Sequence, residues 1–245
     1  MIVGFIGAGN MAAAMARGWA ERYPGMLFSD SGSGRAQALA EEMGGEALAN
    51  AEIAARADLV VVATKPAKLG EVAPELAAAR RVVSILAAVP VARLREAFPA
   101  AEVLRVMPNV GVEVRQGVLC VAGEAAPQVR GALATLGHLV ELADADFDQA
   151  TAVMGCAPAY LALAVEALAD AGAEAGLDPA LARELVVETA AGTAELLRTH
   201  DPAEVRRAVA SPGGSTEAGL EALDRAGARA AVAAAVEASL ERMRG

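Results

Sequence analysis

The chain has 245 residues, of which 55% are hydrophobic and only 3% aromatic, and its formal net charge is −10. The acidic balance, without any basic run, excludes a general nucleic-acid surface. Two cysteines without a CxxC pair and two isolated histidines argue against a disulfide framework and a zinc site. The N-terminus lacks the basic flank and long apolar run of a signal peptide, and no stretch of about 18 residues is continuously apolar. We therefore expect a cytoplasmic protein that binds no metal and does not enter a membrane.

The first half of the chain alternates short apolar runs with helical patterns. Strands are predicted at Ile2–Ile6, Met26–Asp30, Asp58–Thr64, Arg81–Leu86, Glu102–Met107 and Gly117–Ala122, and helices at Asn10–Glu21 and Arg35–Met43. The run DLVVVAT is unbroken and rich in β-branched residues, which is typical of a buried strand. This alternation predicts an α/β domain with a parallel, doubly wound sheet of the Rossmann type.

After about Asp144 the pattern becomes helical. Helices are predicted at Pro158–Gly176, Pro179–Leu197, Pro202–Ala210 and Thr216–Arg244. They are apolar on most sides, and about a hundred residues enclose too little interior to bury them. They pack either on the sheet domain of their own chain or against a second copy, and we expect the second copy. The predicted domains are therefore a dinucleotide-binding domain, residues 1–146, and an all-helical dimerisation and substrate domain, residues 147–245.

The sequence GFIGAGNMA runs from the end of the first predicted strand into the start of the first predicted helix. It sets Gly7, Gly9 and Ala12 in a G-x-G-x-x-A pattern, in the context that the dinucleotide fingerprint requires. Gly7 permits a tight turn, Gly9 lets the backbone approach a pyrophosphate, and Ala12 keeps helix and strand close. The pattern predicts NADH or NADPH as cofactor.

The end of the second strand leaves the choice between these cofactors open. Asp30 lies where an acidic residue binds the ribose hydroxyls of NAD and repels a 2′-phosphate. Side chains that can bind that phosphate surround it, namely Ser29, Ser31, Ser33 and Arg35. A third interpretation is that Asp30 caps a helix.

A Ser-Pro-Gly-Gly-Ser-Thr turn, Ser211–Thr216, precedes the last helical pattern. Ser211 can be the helix N-cap, with Pro212 at the first helical position. Alternatively, the backbone N–H groups at the helix start receive an anion. Two consecutive glycines are more than a cap needs, so we expect a ligand.

Together these motifs resemble the pyrroline-5-carboxylate reductase family over nearly the whole chain. The similar segments are GFIGAGNMA, ATKP at Ala63–Pro66, RVMPN at Arg105–Asn109, APAY at Ala157–Tyr160, and SPGGSTEAG, which is similar to the family's S-P-G-G-T-T-x-A-G. The resemblance implies a Rossmann domain, an interlocking helical domain, a homodimer that in many members assembles into a decamer, and hydride transfer from NAD(P)H to a cyclic imine, which gives L-proline.

The resemblance also implies site residues. Cofactor-binding roles fall on Gly7, Ala8, Gly9, Asn10, Met11, Asn50, Thr64, Lys65, Pro66, Pro108 and Asn109, beside Asp30. Substrate-binding roles fall on Ser211, Gly213, Gly214, Ser215 and Thr216. The Thr216 hydroxyl is expected to hydrogen-bond the ring nitrogen, and we therefore name it as the catalytic group. Simpler interpretations remain for three of these residues: Lys65 as a solvated strand end, Asn109 as a turn cap, and Met11 as core packing.

Three segments depart from the family pattern. MGCAPAY replaces S-G-S-G-P-A-Y, PNVG replaces P-N-T-P, and Ala88 replaces the glycine of an A-A-G. These changes remove hydroxyl groups near the expected cofactor–substrate cleft. Two alternatives therefore stay open: a sister reductase of another cyclic imine or keto acid, and a non-catalytic NAD(P)-binding regulatory protein.

Overall fold

The structure, a computed structural model that describes residues 1–244, divides into two compact units. The first unit, Met1–Cys156, contains a sheet with helices on both faces, and the second, which begins at Ala157, is built of helices. The predicted fold class, a Rossmann-type domain followed by a helical domain, is thereby confirmed. The predicted domain boundary between residues 146 and 147 stays a prediction.

Eight strands form the sheet of the first unit. They are Val3–Ile6 (β1), Leu27–Ser29 (β2), Glu46–Ala47 (β3), Leu59–Val62 (β4), Arg81–Ser84 (β5), Glu102–Pro108 (β6), Gly117–Gly123 (β7) and Gly137–Glu141 (β8). Their order across the sheet is β3-β2-β1-β4-β5-β6-β7-β8. The order reverses between β1 and β4, and such a reversal opens a crevice at the carboxyl ends of the strands.

The sheet is parallel except where β6 pairs with β7 in the antiparallel direction. Residues 109–116 join these two strands through a short 3-10 turn, Val110–Val114. A parallel connection needs a crossover of a dozen or more residues. The link is too short for that, so the expectation of a wholly parallel sheet is wrong at this pair.

Two strands were not predicted because neither gives a sequence signal. β3 has only two residues, and β8 begins at a glycine and is at most half-buried along its length. The helices of the first unit are Asn10–Trp19 (α1), Arg35–Met43 (α2), Asn50–Arg56 (α3), Leu69–Val72 (α4), Val91–Ala97 (α5), Pro127–Ala134 (α6) and Phe147–Ala150 (α7), followed by a π-helical turn, Thr151–Gly155.

Each face of the sheet carries its own apolar core, because successive strand side chains point to opposite faces. Phe5 packs on one face with Trp19 and Phe28, and Ile6 packs on the other with Ile53. The Trp19 indole is fully buried, and its Nε1 donates a hydrogen bond to the carbonyl of Ala132 at 3.0 Å. These cores fix the end of β1, from which the first glycine turn leaves the sheet.

The helices of the second unit are Ala157–Glu174 (α8), Pro179–Leu196 (α9), Pro202–Val209 (α10), Ser215–Arg225 (α11) and Ala228–Arg244 (α12). The first three lie close to their predicted ranges. The prediction of one helix from Thr216 to Arg244 is wrong, because the chain turns at Gly227, whose φ is +76°. Glycine adopts this left-handed conformation at low cost and commonly ends helices there.

Part of the surface of α8 is apolar and exposed in the single chain. Leu161, Leu163 and Leu168 are 67%, 64% and 62% exposed. The continuous helical stretch Asp144–Glu174 is long and apolar enough to cross a membrane, judged by its length and composition alone. The prediction that the chain does not enter a membrane therefore stays a prediction.

Candidate functional site

A cleft of about 700 Å³ opens at the carboxyl ends of β1, β2 and β4, where the strand order reverses. Seven of the predicted cofactor residues line it: Gly7, Ala8, Gly9, Asp30, Asn50, Thr64 and Lys65. The other five lie elsewhere in the first unit: Asn10 and Met11 in the first turn of α1, Pro66 at the start of a 3-10 turn, Pro108 at the end of β6, and Asn109 directly after it. The topology therefore gathers most of the predicted residues at one crevice.

Gly7 and Gly9 of the first turn are glycines for different physical reasons. Gly7 has a φ of +102°, and a Cβ there would lie 2.7 Å from the carbonyl oxygen of Ala63, so the fold itself requires glycine. Gly9 has an ordinary φ of −78°, and a Cβ there would meet no atom within 4 Å. The fold does not require glycine at position 9. A missing side chain at this point leaves room for a ligand to touch the backbone.

The start of α1 is open and electropositive. Gly9 is the N-cap, no side chain caps the helix, and its first turn contains no acidic residue. The first N–H groups of a helix have no intrahelical acceptors, and the helix dipole adds a partial positive charge there. Ala12 is buried and lets the helix approach the sheet closely. These features fit a phosphate group.

Asn50 is held by hydrogen bonds at both ends of its amide. Its Oδ1 accepts from the Ser29 hydroxyl at 2.6 Å, and its Nδ2 donates to Glu75 Oε2 at 2.8 Å. These two hydrogen bonds fix the orientation of this half-buried side chain at the cleft. Glu75 was not predicted, because it lies outside every motif and only the fold brings it to Asn50.

Asp30 lines the cleft but directs its carboxylate toward its own loop. Oδ1 accepts from the amides of Gly32 at 2.7 Å and Ser33 at 3.2 Å, and Oδ2 accepts from the Ser33 hydroxyl at 2.7 Å and the Ala36 amide at 2.9 Å. These bonds, led by that of the Ala36 amide, lower the pKa of Asp30 to about 2 because they favour the charged form. The contacts are those of the helix-capping interpretation, and ribose binding by Asp30 stays a prediction.

The segment after β4 adds cationic side chains to the cleft. The ammonium group of Lys65 makes no ion pair within residues 1–244, whereas Lys68 pairs with Glu71 at 2.8 Å. The Thr64 hydroxyl donates to the Lys65 carbonyl at 3.4 Å. An unpaired ammonium beside an open helix start suits an anionic ligand, although Lys65 is also exposed as a solvated strand end would be.

The Asn109 side chain forms hydrogen bonds with two separate segments of the first unit. Its Oδ1 accepts from the Val118 amide at 3.1 Å, and its Nδ2 donates to the Met154 carbonyl at 3.2 Å. The first bond reaches β7, and the second reaches the π-helical turn Thr151–Gly155; the Asn109 side chain does not cap the 3-10 turn that follows it. Turns of this kind occur often at functional sites. A direct contact of Asn109 with a cofactor stays a prediction.

Sequence analysis missed an ion pair between the buried Arg105 and the partly exposed Asp144. Arg105 Nη1 is 2.8 Å from Asp144 Oδ1, and the guanidinium lies 4.1 Å from the ring centroid of Phe147. Asp144 Oδ2 accepts from the Val91 amide at 3.0 Å. The pair therefore ties the start of the helical segment to β6. The arginine of RVMPN was the available signal, but the sequence does not show its distant partner.

The glycine turn Ser211–Thr216 lies in the second unit. The N-cap of α11 is Gly214, whose helix start has no side-chain cap hydrogen bond, so the alternative interpretation of Ser211 as the N-cap is wrong. Ser211 instead contributes its carbonyl, which accepts from the Gly214 amide at 2.9 Å. The Gly213 amide donates to Glu217 Oε2 at 2.7 Å. Ser215 and Thr216 open the helix, and their amides belong to the first turn, which lacks intrahelical acceptors.

Gly213 and Gly214 are both demanded by this turn. Gly213 has a φ of +73°, and a Cβ at Gly214 would lie 2.8 Å from the Ser211 hydroxyl and 2.9 Å from its carbonyl oxygen. The five predicted substrate residues thus lie together at one exposed helix start. Within the described residues, no group of three or more His, Cys, Asp or Glu side chains could hold a metal ion.

The arrangement defines a class: an oxidoreductase-type dinucleotide-binding domain followed by a helical domain. The family model described as NADP oxidoreductase, coenzyme F420-dependent, matches residues 2–88, and that described as pyrroline-5-carboxylate reductase dimerisation matches residues 144–245. The pyrroline-5-carboxylate reductase of Thermus thermophilus is 35% identical over 99% of this chain and 97% of its own length, and that of Pseudomonas aeruginosa is 36% identical over 98% and 94%. The chain belongs to the pyrroline-5-carboxylate reductase family.

Solved structures agree with this assignment. The 1-pyrroline-5-carboxylate reductase of Streptococcus pyogenes has a TM-score of 0.88 at 31% identity and covers 99% of this chain and 98% of its own. The pyrroline carboxylate reductase of Plasmodium falciparum, solved with NADP bound, has a TM-score of 0.87 at 27% identity and covers 99% and 97%.

Proposed function

We propose that the chain is an NAD(P)H-dependent pyrroline-5-carboxylate reductase, which converts 1-pyrroline-5-carboxylate to L-proline. The observation that carries the proposal is Gly9. It lies at an uncapped helix start in the interstrand cleft, and the fold has no need of glycine there. The family assignment and the NADP in the relative from Plasmodium falciparum support the same function.

The cofactor's pyrophosphate binds the glycine turn Gly7, Ala8 and Gly9 together with Asn10 and Met11 at the start of α1. Asn50 lies at the adenosine side, held for that contact by Ser29 and Glu75. Thr64, Lys65 and Pro66 contact the cofactor after β4, and Pro108 and Asn109 face its nicotinamide end. Asp30 contributes to the adenosine side of the cofactor site through the loop that it holds by hydrogen bonds.

The substrate binds the start of α11. Its carboxylate accepts hydrogen bonds from the first-turn amides of Ser215 and Thr216, in a turn shaped by Ser211, Gly213 and Gly214. The helix dipole favours an anion at this point. The Thr216 hydroxyl hydrogen-bonds the ring nitrogen and thereby aligns the imine. It is too weak an acid to be the source of the proton.

The bound cofactor supplies a hydride for C5 of the imine, and the ring nitrogen takes a proton from solvent. The residues of the chain then need only orient the imine carbon toward the nicotinamide ring of the cofactor. Thr216 is accordingly the one group that we name as catalytic.

The active form is a cytoplasmic homodimer built through the helical unit, with assembly into a decamer as in many members of the family. The uncovered leucines of α8 support the dimer, since such a patch on a soluble chain marks an interaction surface. The apolar stretch Asp144–Glu174 lies inside the match to the dimerisation family, which supports a protein partner over a membrane. The two free cysteines fit a reducing compartment.

The test is oxidation of NADPH and NADH with pyrroline-5-carboxylate, a panel of other cyclic imines, and keto acids, with L-proline identified as the product. We expect turnover with pyrroline-5-carboxylate. Turnover only on another compound would favour the sister reductase that the MGCAPAY and PNVG segments leave open. Cofactor binding without turnover on any compound would favour the regulatory protein.

A further inference from the structure

Asn109 donates a hydrogen bond to a carbonyl group at a break in the helical pattern. Its Nδ2 lies 3.2 Å from the carbonyl oxygen of Met154. In a regular α-helix that carbonyl accepts from the amide four residues later, at position 158. Position 158 is a proline, which has no N–H and whose ring crowds the carbonyl four residues before it. The Asn109 side chain therefore gives Met154 a donor that Pro158 cannot provide.

The backbone around Met154 is π-helical at this break. The Cys156 amide donates to the Thr151 carbonyl at 3.1 Å, five residues back instead of four. Pro158 lies inside the continuous helical stretch Asp144–Glu174 and not at a free helix start. A proline in such a position interrupts the hydrogen-bond ladder of the preceding turn. The turn that Asn109 contacts is thus the one that the proline disturbs.

The other side of the Asn109 amide is fixed to the end of the sheet. The Asn109 backbone N–H donates to the Val118 carbonyl at 3.1 Å, and its Oδ1 accepts from the Val118 amide at 3.1 Å. β6 is parallel to β5, β5 to β4 and β4 to β1. The end of β6 therefore lies at the same edge of the sheet as the end of β1, from which the glycine turn leaves.

The Met154 side chain also packs on this end of the sheet. It lies with Met107 of β6 against the buried cluster that includes Cys120 and Phe147. Ala152, in the same π-helical turn, is fully buried. The turn Thr151–Gly155 is therefore held on the end of β6 by its apolar side chains and, at its carbonyl, by Asn109.

Resting on the proposed function, we propose that Asn109 is a positioning residue for hydride transfer, which acts through the Met154 carbonyl. It holds the π-helical turn beside Pro108, at the proposed nicotinamide end of the cofactor site. A displacement of about 1 Å in an active site can lower the rate about a hundredfold. Loss of the bond should therefore affect kcat more than the affinity for the cofactor.

The first variant, Asn109→Ala, removes the donor. With pyrroline-5-carboxylate we expect kcat to fall about tenfold or more, while the KM for the imine and the dissociation constant for NADPH stay within about twofold. In hydrogen–deuterium exchange, the amides of residues 151–157 should exchange faster, because the turn opens more readily.

The second variant, Pro158→Ala, tests the route through Met154. Alanine restores an N–H at position 158 that can donate to the Met154 carbonyl. Added to Asn109→Ala, it should recover most of the lost kcat and slow the exchange again. Pro179→Ala is the matched control, because Pro179 is the first residue of α9, where an N–H has no intrahelical acceptor. It should recover neither.

Two results would overturn the proposal. A loss of NADPH affinity in Asn109→Ala that Pro158→Ala does not recover would show that Asn109 contacts the cofactor itself. A lower Tm with a wild-type kcat well below that Tm would show that Asn109 serves folding alone. Because exchange and NADPH binding need no turnover, a protein in which both behave as expected but which reduces no imine would contradict the proposed function alone.

Discussion

Ala88 is a residue whose backbone conformation suits glycine better than alanine. Its φ is +56°, at the position where the family pattern has glycine. A left-handed conformation costs an alanine about 1–2 kcal/mol. Glycine also makes the unfolded chain more flexible, which reduces the gain in the free energy of unfolding by about 0.4–1 kcal/mol. We therefore expect Ala88→Gly to raise the free energy of unfolding by about 0.5–1 kcal/mol and the Tm by a few degrees.

The neighbouring Ala87 is the matched control for thermal denaturation. It is exposed like Ala88 but has no positive φ. Ala87→Gly should therefore lower stability by about 0.5–1 kcal/mol. Equal losses in both variants would show that Ala88 is not strained in the folded protein.

Gly9 separates ligand binding from folding. Its hypothetical Cβ meets open space, so Gly9→Ala should leave the Tm within about 2 °C of the wild type. The methyl group would stand where the pyrophosphate approaches, so the dissociation constant for NADPH should rise by about tenfold or more. Gly131→Ala in α6, also facing open space but away from the cleft, should leave that constant unchanged. Unchanged NADPH binding in Gly9→Ala would remove Gly9 from the cofactor site.

Residues of the site were predictable from sequence where one short segment defines the geometry. Gly7 and Gly9 come from a turn whose strand and helix are adjacent in sequence, so their placement needs no distant partner. The hydrogen-bond partners of Asn50 and Asp30 could not be predicted in this way. Sequence spacing does not show whether a side chain faces a ligand or its own loop. Glu75 and the Arg105–Asp144 pair depend on contacts between distant segments, which a single sequence does not reveal.

At the scale of elements, the start of α11 is the proposed binding site of the substrate. Thr216→Val keeps the shape of the side chain but removes the proposed hydrogen bond to the ring nitrogen. We expect kcat/KM to fall roughly tenfold to a hundredfold, which corresponds to about 1–3 kcal/mol of transition-state binding. The dissociation constant for NADPH should change little, because the proposed cofactor residues belong to the first unit.

Thr216→Ser restores the hydroxyl and should recover most of the activity, which makes it the control. Gly214 is less informative, since any side chain there collides with Ser211 and disturbs the turn itself. If Thr216→Val instead lowers only the Tm and leaves the kinetics normal, the turn is merely a helix start.

The predictions of secondary structure were wrong where a short connection or a single residue decides the structure against the sequence pattern. The apolar run of β7 resembles a parallel strand, but the short link after β6 forces the antiparallel direction. The alanine-rich pattern of α11 and α12 reads as one helix, but Gly227 ends the first of them. The fully buried strands β1 and β4 and the helix α2 were predictable, because burial and periodicity agree there.

At the scale of the whole molecule, the single chain leaves an apolar surface that one copy does not cover. Leu161 and Leu168 are seven residues apart, hence on one side of α8, and both are more than 60% exposed. Burying such leucines against a second copy contributes about 1.5–3 kcal/mol for each side chain. We therefore expect light scattering to give the mass of a dimer or a larger assembly, with a Tm that rises with protein concentration.

Charge introduced on this surface should break the assembly. The double variant Leu161→Glu, Leu168→Glu places two carboxylates in the proposed interface, where their desolvation is unfavourable. Its mass should fall toward that of a monomer, or its helical unit should unfold while the sheet unit still binds NADPH. Val114→Glu is the matched control, because Val114 is 68% exposed but belongs to the sheet unit, and its mass should equal that of the wild type. A wild-type chain that stays folded and monomeric in dilute solution would contradict the dimer, and the exposed leucines would then need a different partner.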